Sequence, residues 1–420
     1  MQRRIGISTF LLLAAWLAAP PSLAASKQWV DASTARSAAR AKVSKLGRAA
    51  THVVAETAVV VRGAEPEPIA YLFDLEPPGF VIVAGHRSLP PIIAYSFTDR
   101  VASSEPERGR FHALLAADLE LRLAQASHLP GEVASRRDQA WARLLAAPGK
   151  RAKTPAAPQQ WPPEGTTATG GWLEESWHQN QPYNADCPLD PVTTSRSVAG
   201  CPAVAMAMIL DYHHTTDWVQ LSDVDDYYHS YAGRDYWIDD DWQALDFPSF
   251  NDLSAALDVL NGHYRGGIPA DDADRAALTF ACGASARQVY TSSVSGTFGV
   301  GQAFDAYQRF LVDGCELLAA DDPDLWPRLS KNMMEARPAH LAVVNADWTA
   351  GHNVVVDGYN TDNYYHLNFG WGGPANGWYL LPDEIPYDLT VIEGVIIDIE
   401  PSVLFADGFE SGNASRWSSF

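Results

Sequence analysis

The stretch that decides the fold is SVAGCPAVAMAMILDYHH, residues 197–214. Its apolar run predicts a buried helix over 201–214, with Cys201 at the N-cap and Pro202 in the first helical position, where proline fits well. The unpaired N–H groups and the dipole at a helix N-terminus favour a thiolate over a thiol. A thiolate attacks carbonyl carbons, so Cys201 is a candidate nucleophile. A single cysteine in such a helix is equally compatible with a buried structural role.

A cysteine nucleophile needs a base that a third group orients. His352 begins the predicted strand GHNVVVDGY, residues 351–359, and follows Cys201 by roughly 150 positions, the order and separation found in papain-like peptidases. The chain then turns and returns as NYYHLNFGWGG. A loop centred on Asn360 places Asn368 opposite His352, where its carboxamide accepts a ring N–H. A loop shifted by one residue puts Asn368 on the other face of the sheet.

Cleavage of an amide also needs hydrogen-bond donors for the oxyanion that develops. The backbone N–H of Cys201 is one candidate. Gln179 and Gln181, in SWHQNQPYN upstream of the cysteine, offer side-chain donors. A plain surface role is nevertheless the commoner fate of either glutamine taken alone.

Composition restricts the class of protein. The 420 residues carry a formal net charge of −21 and are 47% hydrophobic. These values favour a folded, soluble protein and disfavour a nucleic-acid binder, because phosphate contacts need clustered Lys and Arg. The four cysteines are too few for a disulfide scaffold and lack zinc-site spacing. One disulfide among Cys187, Cys282 and Cys315 stays open, and the sequence does not choose the pair.

The first 25 residues have the pattern of an export signal. Arg3 and Arg4 form a basic start, an apolar run from Phe10 to Ala18 follows, and small residues precede a cleavage site near Ala24. The apolar run is shorter than a membrane span. We therefore expect signal removal and a secreted protein, extracellular or periplasmic, that is not membrane-bound afterwards. A retained membrane anchor is the alternative interpretation of this segment.

Two regions of opposite charge follow the signal, and a Pro/Lys-rich linker at 151–165, a candidate cleavage site, joins them. Residues 26–150 are net basic and are predicted to form a small α+β unit. Residues 166–402 are strongly acidic, and their helices followed by an antiparallel sheet are also α+β. Residues 403–420 form a polar tail. The predicted elements are strands at 52–61 and 69–97, helices at 108–127, 132–147, 201–214, 250–261, 271–282 and 301–312, and strands at 338–346 and 352–400.

Several segments together resemble the streptopain family of secreted papain-like cysteine peptidases. HQNQPYN (178–184) and the Cys201 segment are similar to that family's approach to its Gly-Cys helix. GHNVVVDGYN and YYHLNFGWGGPANGWYLL (364–381) resemble its Gly-His strand and Trp-Gly-Gly hairpin, and YLFDLEPPGFVIVAGHRSLPPIIAYS (71–96) resembles its inhibitory prosegment. The resemblance implies a two-lobed papain-like fold, with a helical lobe and an antiparallel sheet lobe, preceded by an α+β prosegment at 26–150.

The resemblance also implies roles residue by residue. Cys201 is the nucleophile, His352 the general base and acid, Gln179 an oxyanion donor, and Asn368 and Trp371 orient and shield the histidine. The substrate-binding residues that it implies are Ser292, Ser293, Ser295, Gly296 and Gly351. It further implies protein or peptide substrates and the chain's own prosegment as intramolecular inhibitor. We also expect a monomer with no cofactor, no metal and no nucleic-acid partner.

Three positions depart from the pattern of the family that the sequence resembles. Pro202 stands where valine is more frequent, Asn353 where a small apolar residue is usual, and Phe369 where tryptophan is frequent. None removes a reacting group, so we expect a secreted cysteine endopeptidase, made as an autoinhibited zymogen, that forms a thioester on Cys201. The alternative is a catalytically silent secreted peptide-binding protein with the same fold. A glutaminase or transglutaminase would use the same Cys/His pair, and only the resemblance separates it from a peptidase.

Overall fold

The computed structural model describes residues 28–101, 131–146, 158–216, 219–310, 312, 314–345, 348, 350–381 and 391–401, with scattered positions between 112 and 126. The predicted export signal, the tail at 403–420, residues 151–157 of the linker and much of the helix predicted at 108–127 lie outside these residues. Within the described ranges, no helix has the length and apolar character needed to cross a bilayer.

The N-terminal unit is an antiparallel meander packed against helices. Its elements are α1 (Ala32–Lys45), β1 (Val53–Val54), β2 (Val59–Arg62), β3 (Pro68–Glu76), β4 (Gly79–Ala84), β5 (Ile92–Ser96) and α2 (Gly131–Leu145). Every residue of β4 is buried between β3 and β5. Helix α1 begins after Asp31, whose carboxylate accepts the N–H of Thr34 at 2.7 Å. The sequence analysis missed α1, because its alanine-rich sequence has little apolar periodicity.

The following region is mainly helical. Its elements are β6 (Gln160–Trp161), α3 (Cys201–Tyr212), β7 (Tyr227–Tyr231), β8 (Arg234–Ile238), α4 (Trp242–Leu245), α5 (Phe250–Gly266), α6 (Asp272–Ser285) and α7 (Val300–Arg309). Helix α3 is buried continuously from Pro202 to Leu210, because small and aliphatic residues surround its whole circumference. The predicted helices at 201–214, 250–261, 271–282 and 301–312 correspond to α3, α5, α6 and α7. The β7–β8 hairpin was not predicted.

One antiparallel sheet runs through both halves of the chain. The remaining elements are β9 (Glu316–Leu318), α8 (Leu325–Met334), β10 (Ala339–Val344), β11 (Gly351–Asn360), β12 (Tyr365–Asn368), β13 (Gly377–Tyr379) and β14 (Val391–Ile397). The strand order is β1-β3-β4-β5-β13-β12-β11-β10-β14-β9. Strand β5 of the N-terminal unit joins the C-terminal strands by pairing Tyr95 with Trp378 and Ala94 with Tyr379.

The two faces of this sheet bury different hydrophobic cores. Val354 and Val356 of β11 lie in a core shared with the N-terminal meander. Val355, between them, lies in the core formed with the helices of 201–310. This alternation follows from the two-residue period of a strand. The predicted α+β class is therefore confirmed, and the N-terminal end of α3 meets the sheet at the start of β11.

The hairpin register predicted from the sequence is wrong. Asn368 pairs with Val355 rather than with His352, and a β-bulge lies between Val356 and Gly358. The turn is centred near Asp362 because the side chain of Asn360 accepts the N–H groups of Asp362 and Tyr364. The extra residue at the bulge and the displaced turn together shift the partner of His352.

The four cysteines all belong to the described residues, and none of them forms a disulfide. Cys187, Cys282 and Cys315 are buried, whereas Cys201 is half-buried. The structure therefore contains none of the disulfides that the sequence left open.

Candidate active site

Cys201 is the first residue of α3, and Gly200 is the N-cap, so the predicted N-cap position is wrong by one residue. Gly200 has a φ of 87°, in the region that favours glycine. A Cβ at this position would lie 2.8 Å from Oε1 of Gln288 and 3.1 Å from the backbone of Ser295. Glycine thus lets the chain turn into the helix while the neighbouring loop packs closely.

The environment of Cys201 favours its thiolate. Burial alone would raise the pKa of the Cys201 thiol, but the charge of His352, a hydrogen bond from the His352 side chain and hydrogen bonds from Asn353 together lower the pKa below its ordinary value. His352 itself is 6% exposed. The structure therefore brings together the two residues that the sequence nominated as nucleophile and base.

Two neighbours fix the ring of His352. Its Nε2 donates to the backbone carbonyl of Phe369 at 2.8 Å, so Nε2 carries the ring proton and Nδ1 is the nitrogen left to accept one. Trp371 stacks on the ring with centroids 4.7 Å apart and planes at 26°. Trp371 thus covers one face of the His352 ring, and the Phe369 carbonyl fixes the orientation of the ring.

Asn368 has a different position from the one expected. Its Nδ2 donates to the carbonyl of Glu175 at 3.3 Å and its Oδ1 accepts the N–H of Gly370 at 3.1 Å. Asn376 accepts the N–H of Phe369 at 2.9 Å. The two asparagines thus hold the segment that carries the Phe369 carbonyl, and Asn368 acts on this segment rather than on the imidazole directly. The register shift explains the difference.

Gln179 lies beside the segment that leads into the nucleophile. The N–H of Ala199 donates to the carbonyl of Gln179 at 2.9 Å, and the Gln179 side chain is partly exposed. This backbone pairing sets the residue alongside the chain just before Cys201. The placement is compatible with an oxyanion donor.

The loop expected to border the substrate is held by Asp190, which the sequence analysis missed. The buried Asp190 carboxylate accepts from Arg234 at 2.8 and 2.9 Å and from the N–H and hydroxyl of Ser292 at 2.9 Å. Burial would raise the pKa of Asp190, but these hydrogen bonds hold it well below its usual range. Its partners lie far away in sequence, so no local pattern marks it.

The residues expected to bind substrate therefore divide into two groups. Gly296 contacts the start of α3, since a Cβ built on it would lie 3.8 Å from Pro202, and Gly351 is exposed directly before His352. Ser292 and Ser295 hold the loop internally, through Asp190 and Thr291 respectively, and Ser293 is exposed. Among the described residues, no cluster of three or more His, Cys, Asp or Glu side chains is arranged to hold a metal ion.

Two protein-family models match segments of this chain. The Peptidase C10 family model matches residues 177–379, and the Spi protease inhibitor model matches residues 26–117. Thiol protease/hemagglutinin PrtT of Porphyromonas gingivalis is 26% identical over 250 residues, which cover 55% of this chain and 27% of that protein. The chain thus spans about a quarter of the length of that curated relative.

Among solved structures, a fragment of prointerpain A from Prevotella intermedia aligns with a TM-score of 0.52 at 15% identity, covering 82% of this chain and all of that chain. Active interpain A of the same organism aligns with a TM-score of 0.40 at 18% identity, covering 56% and 95% of the two chains. The first likeness shows the fold, which is papain-like. Residues 177–379 are therefore similar to the Peptidase C10 family of streptopain-like proteins, and residues 26–117, which precede them in the chain, are similar to the Spi protease inhibitor domain.

Proposed function

We propose that the protein is a secreted cysteine endopeptidase made as an autoinhibited zymogen. The observation that carries this proposal is the Cys201 thiol, whose pKa is lowered beside a His352 ring held by the Phe369 carbonyl and Trp371. Burial of Cys187 and Cys282 raises the pKa of both thiols. Of these three thiols, the one that ionises most readily is therefore Cys201, which lies at the start of α3 next to His352.

The proposed reaction is acyl transfer. The Cys201 thiolate attacks the peptide carbonyl carbon, and the carbonyl oxygen becomes an oxyanion that the Cys201 N–H and Gln179 stabilise. Protonated His352 gives its proton to the amine as the C–N bond breaks, leaving a thioester. His352 then takes a proton from water, whose oxygen attacks the thioester. The acid leaves, and Cys201 regains its resting state.

The N-terminal unit, residues 26–150, is the proposed intramolecular inhibitor, and the linker at 151–165 is the proposed processing site. In support, β5 extends the sheet of the peptidase domain at β13. Asp99, after β5, lies beside Gly373, where a Cβ would be 3.4 Å from its Oδ1. Gly373 is two residues beyond Trp371, so the inhibitor contacts the segment that shields the catalytic histidine. We also propose that residues 1–25 direct export, that the substrates are proteins or peptides, and that the protein is a monomer.

Labelling with a thiol-directed epoxide tests the activity. We expect one label per chain, located at Cys201, together with loss of casein cleavage in proportion to the label. The three buried cysteines are internal controls, because their thiols are shielded in the folded protein. A processed, folded chain that takes the label at Cys201 but cleaves no peptide would instead support the silent peptide-binding protein. Label spread over all four cysteines would contradict a selectively activated thiol.

Lys42 makes the folding stability of the N-terminal unit depend on pH. Its ammonium lies 3.7 Å from the Tyr364 ring centroid and 4.3 Å from that of Tyr95, and the side chain is 3% exposed. Burial lowers the pKa of Lys42 to about 7 from 10.5, against the attraction of Asp362 and with the repulsion of Lys45. Between these two values the unfolded chain holds the proton and the folded chain does not, so folding becomes more favourable as pH rises from about 7 and is least favourable below it.

We therefore expect Lys42→Met to stabilise the zymogen by about 1–4 kcal/mol at pH 6, since it removes a buried charge and keeps the apolar stem. The gain should shrink towards pH 10. Urea unfolding in a Cys201→Ser background, which prevents self-cleavage, measures it. Lys45→Met is the matched control, because Lys45 forms an exposed pair with Asp362 at 2.8 Å and contributes less than burial to the Lys42 shift, so its pH trend should be much smaller. Equal destabilisation by Lys42→Met at both pH values would contradict this account.

A further inference from the structure

A series of hydrogen-bonded polar side chains extends from the buried core of the helical lobe to the proposed nucleophile. Tyr307 on α7, His340 on β10 and Asn353 on β11 connect across the core of the helical lobe to Cys201 on α3. The hydroxyl of Tyr307 lies 3.2 Å from Nδ1 of His340, Nε2 of His340 lies 2.7 Å from Oδ1 of Asn353, and Nδ2 of Asn353 lies 3.8 Å from the Cys201 sulfur. His340 and Tyr307 are completely buried.

The direction of each hydrogen bond follows from the chemistry of the groups. Oδ1 of Asn353 only accepts, so Nε2 of His340 carries the proton and Nδ1 accepts from the Tyr307 hydroxyl. Burial lowers the pKa of His340 to about 4, which keeps the ring neutral and this arrangement intact at neutral pH. The groups that face His340 are Tyr307, Asn353 and the charge of His352.

This arrangement leaves the Asn353 carboxamide one orientation. Its oxygen is committed to His340, so its NH₂ group faces the sulfur of Cys201. The backbone N–H of Asn353 also donates to that sulfur. A donor aimed at an anion forms a stronger hydrogen bond than one aimed at a neutral group. The pair therefore interacts more strongly with the thiolate than with the thiol.

We propose that Asn353 is a catalytic residue that stabilises the Cys201 thiolate, and that His340 and Tyr307 are positioning residues that fix its carboxamide. The proposal rests on the cysteine peptidase function proposed above. It gives a role to Asn353, one of the three departures from the family pattern. Both ring nitrogens of His340 are hydrogen-bonded. These hydrogen bonds offset the free-energy cost of burying a polar ring in an apolar core.

The pH dependence of Cys201 alkylation by iodoacetamide tests the proposal on the full chain after the predicted signal, residues 26–420, before and after trimming of its linker by an unrelated protease. In Asn353→Ala, which introduces the small apolar residue typical of the family, we expect the midpoint of alkylation to rise by about one pH unit. The alkylation rate should then fall about tenfold below both midpoints and match wild type above them. With a peptide substrate, kcat should fall while KM stays unchanged.

Tyr307→Phe removes only the outermost hydroxyl and should move the midpoint in the same direction by less. Gln308→Ala is the matched control, since Gln308 donates to the sulfur of buried Cys315 at 3.2 Å and should leave Cys201 unchanged. An unmoved midpoint in Asn353→Ala, a rise in KM alone, or an equal shift in Gln308→Ala would overturn the proposal. Alkylation needs no peptide cleavage, so failure of the peptidase function and failure of this role are distinguishable.

Discussion

Replacing Cys201 with serine should leave residues 26–420 uncut under reducing conditions in which the wild-type chain loses its N-terminal unit. The serine hydroxyl is not ionised at neutral pH, so the acylation step loses its nucleophile while the fold is preserved. Only binding and oxyanion stabilisation then remain, and we expect kcat/KM to fall by at least about 10⁴-fold. Intact mass over time measures self-cleavage, and a fluorogenic peptide measures kcat/KM on protein trimmed by an unrelated protease.

Cys187→Ala is the matched control for this experiment. Cys187 is fully buried in the helical lobe, where burial raises the pKa of its thiol, so the variant should mature and cleave like wild type once folded. Maturation of Cys201→Ser at the wild-type rate, with trace protease excluded, would contradict the assignment of Cys201. A wild-type chain that stays silent after trimming would favour the peptide-binding alternative.

Replacing His352 with alanine should remove both the base and the group that keeps Cys201 ionised. We expect kcat/KM to fall by about 10²–10⁴-fold. We also expect the midpoint of Cys201 alkylation to rise towards that of an ordinary thiol, because the charge and hydrogen bond of His352 lower the pKa of Cys201. The two effects have different origins, so the peptide assay and the alkylation profile should both change.

His214→Ala is the appropriate control for loss of an imidazole. His214 is exposed beyond the end of α3 and stacks on Tyr264, far along the helix from Cys201. Its replacement should leave both measurements unchanged. An alkylation midpoint that stays low in His352→Ala would mean that the helix terminus and Asn353 alone hold the thiolate, and would remove His352 from that role.

The apolar helix and the strand that carry the site were predictable from sequence, whereas α1, the β7–β8 hairpin and the long-range contacts were not. Apolar runs, with small residues next to Cys201 and His352, mark the Cys201 helix and the His352 strand in the sequence. The partner of His352 depends on a bulge between Val356 and Gly358 and on a turn near Asp362, and neither feature leaves a period in the sequence. Such a shift in the register of the β11–β12 hairpin changes which side chain faces the imidazole of His352.

Residues whose partners are distant were equally hidden. In the sequence Asp190 resembles an ordinary loop aspartate, because its partners Arg234 and Ser292 come close to it only in the folded structure. Asn353 was visible only as a departure from a family pattern, because its partners His340 and Tyr307 lie on other elements. The functional environment of a site thus depends on tertiary contacts that bring together residues with no sequence relation.

The sheet shared by the N-terminal unit and the C-terminal strands has a consequence for the processing proposed above. If the N-terminal unit is removed as proposed, β13 loses β5 as its partner and becomes an edge strand, with Trp378 and Tyr379 at the exposed edge. Unpaired edges invite strands from other molecules, and short edges limit that risk. Because β13 has only three residues, it exposes few backbone N–H and C=O groups to strands of other molecules. The short strand therefore limits the aggregation that removal of the N-terminal unit would otherwise promote.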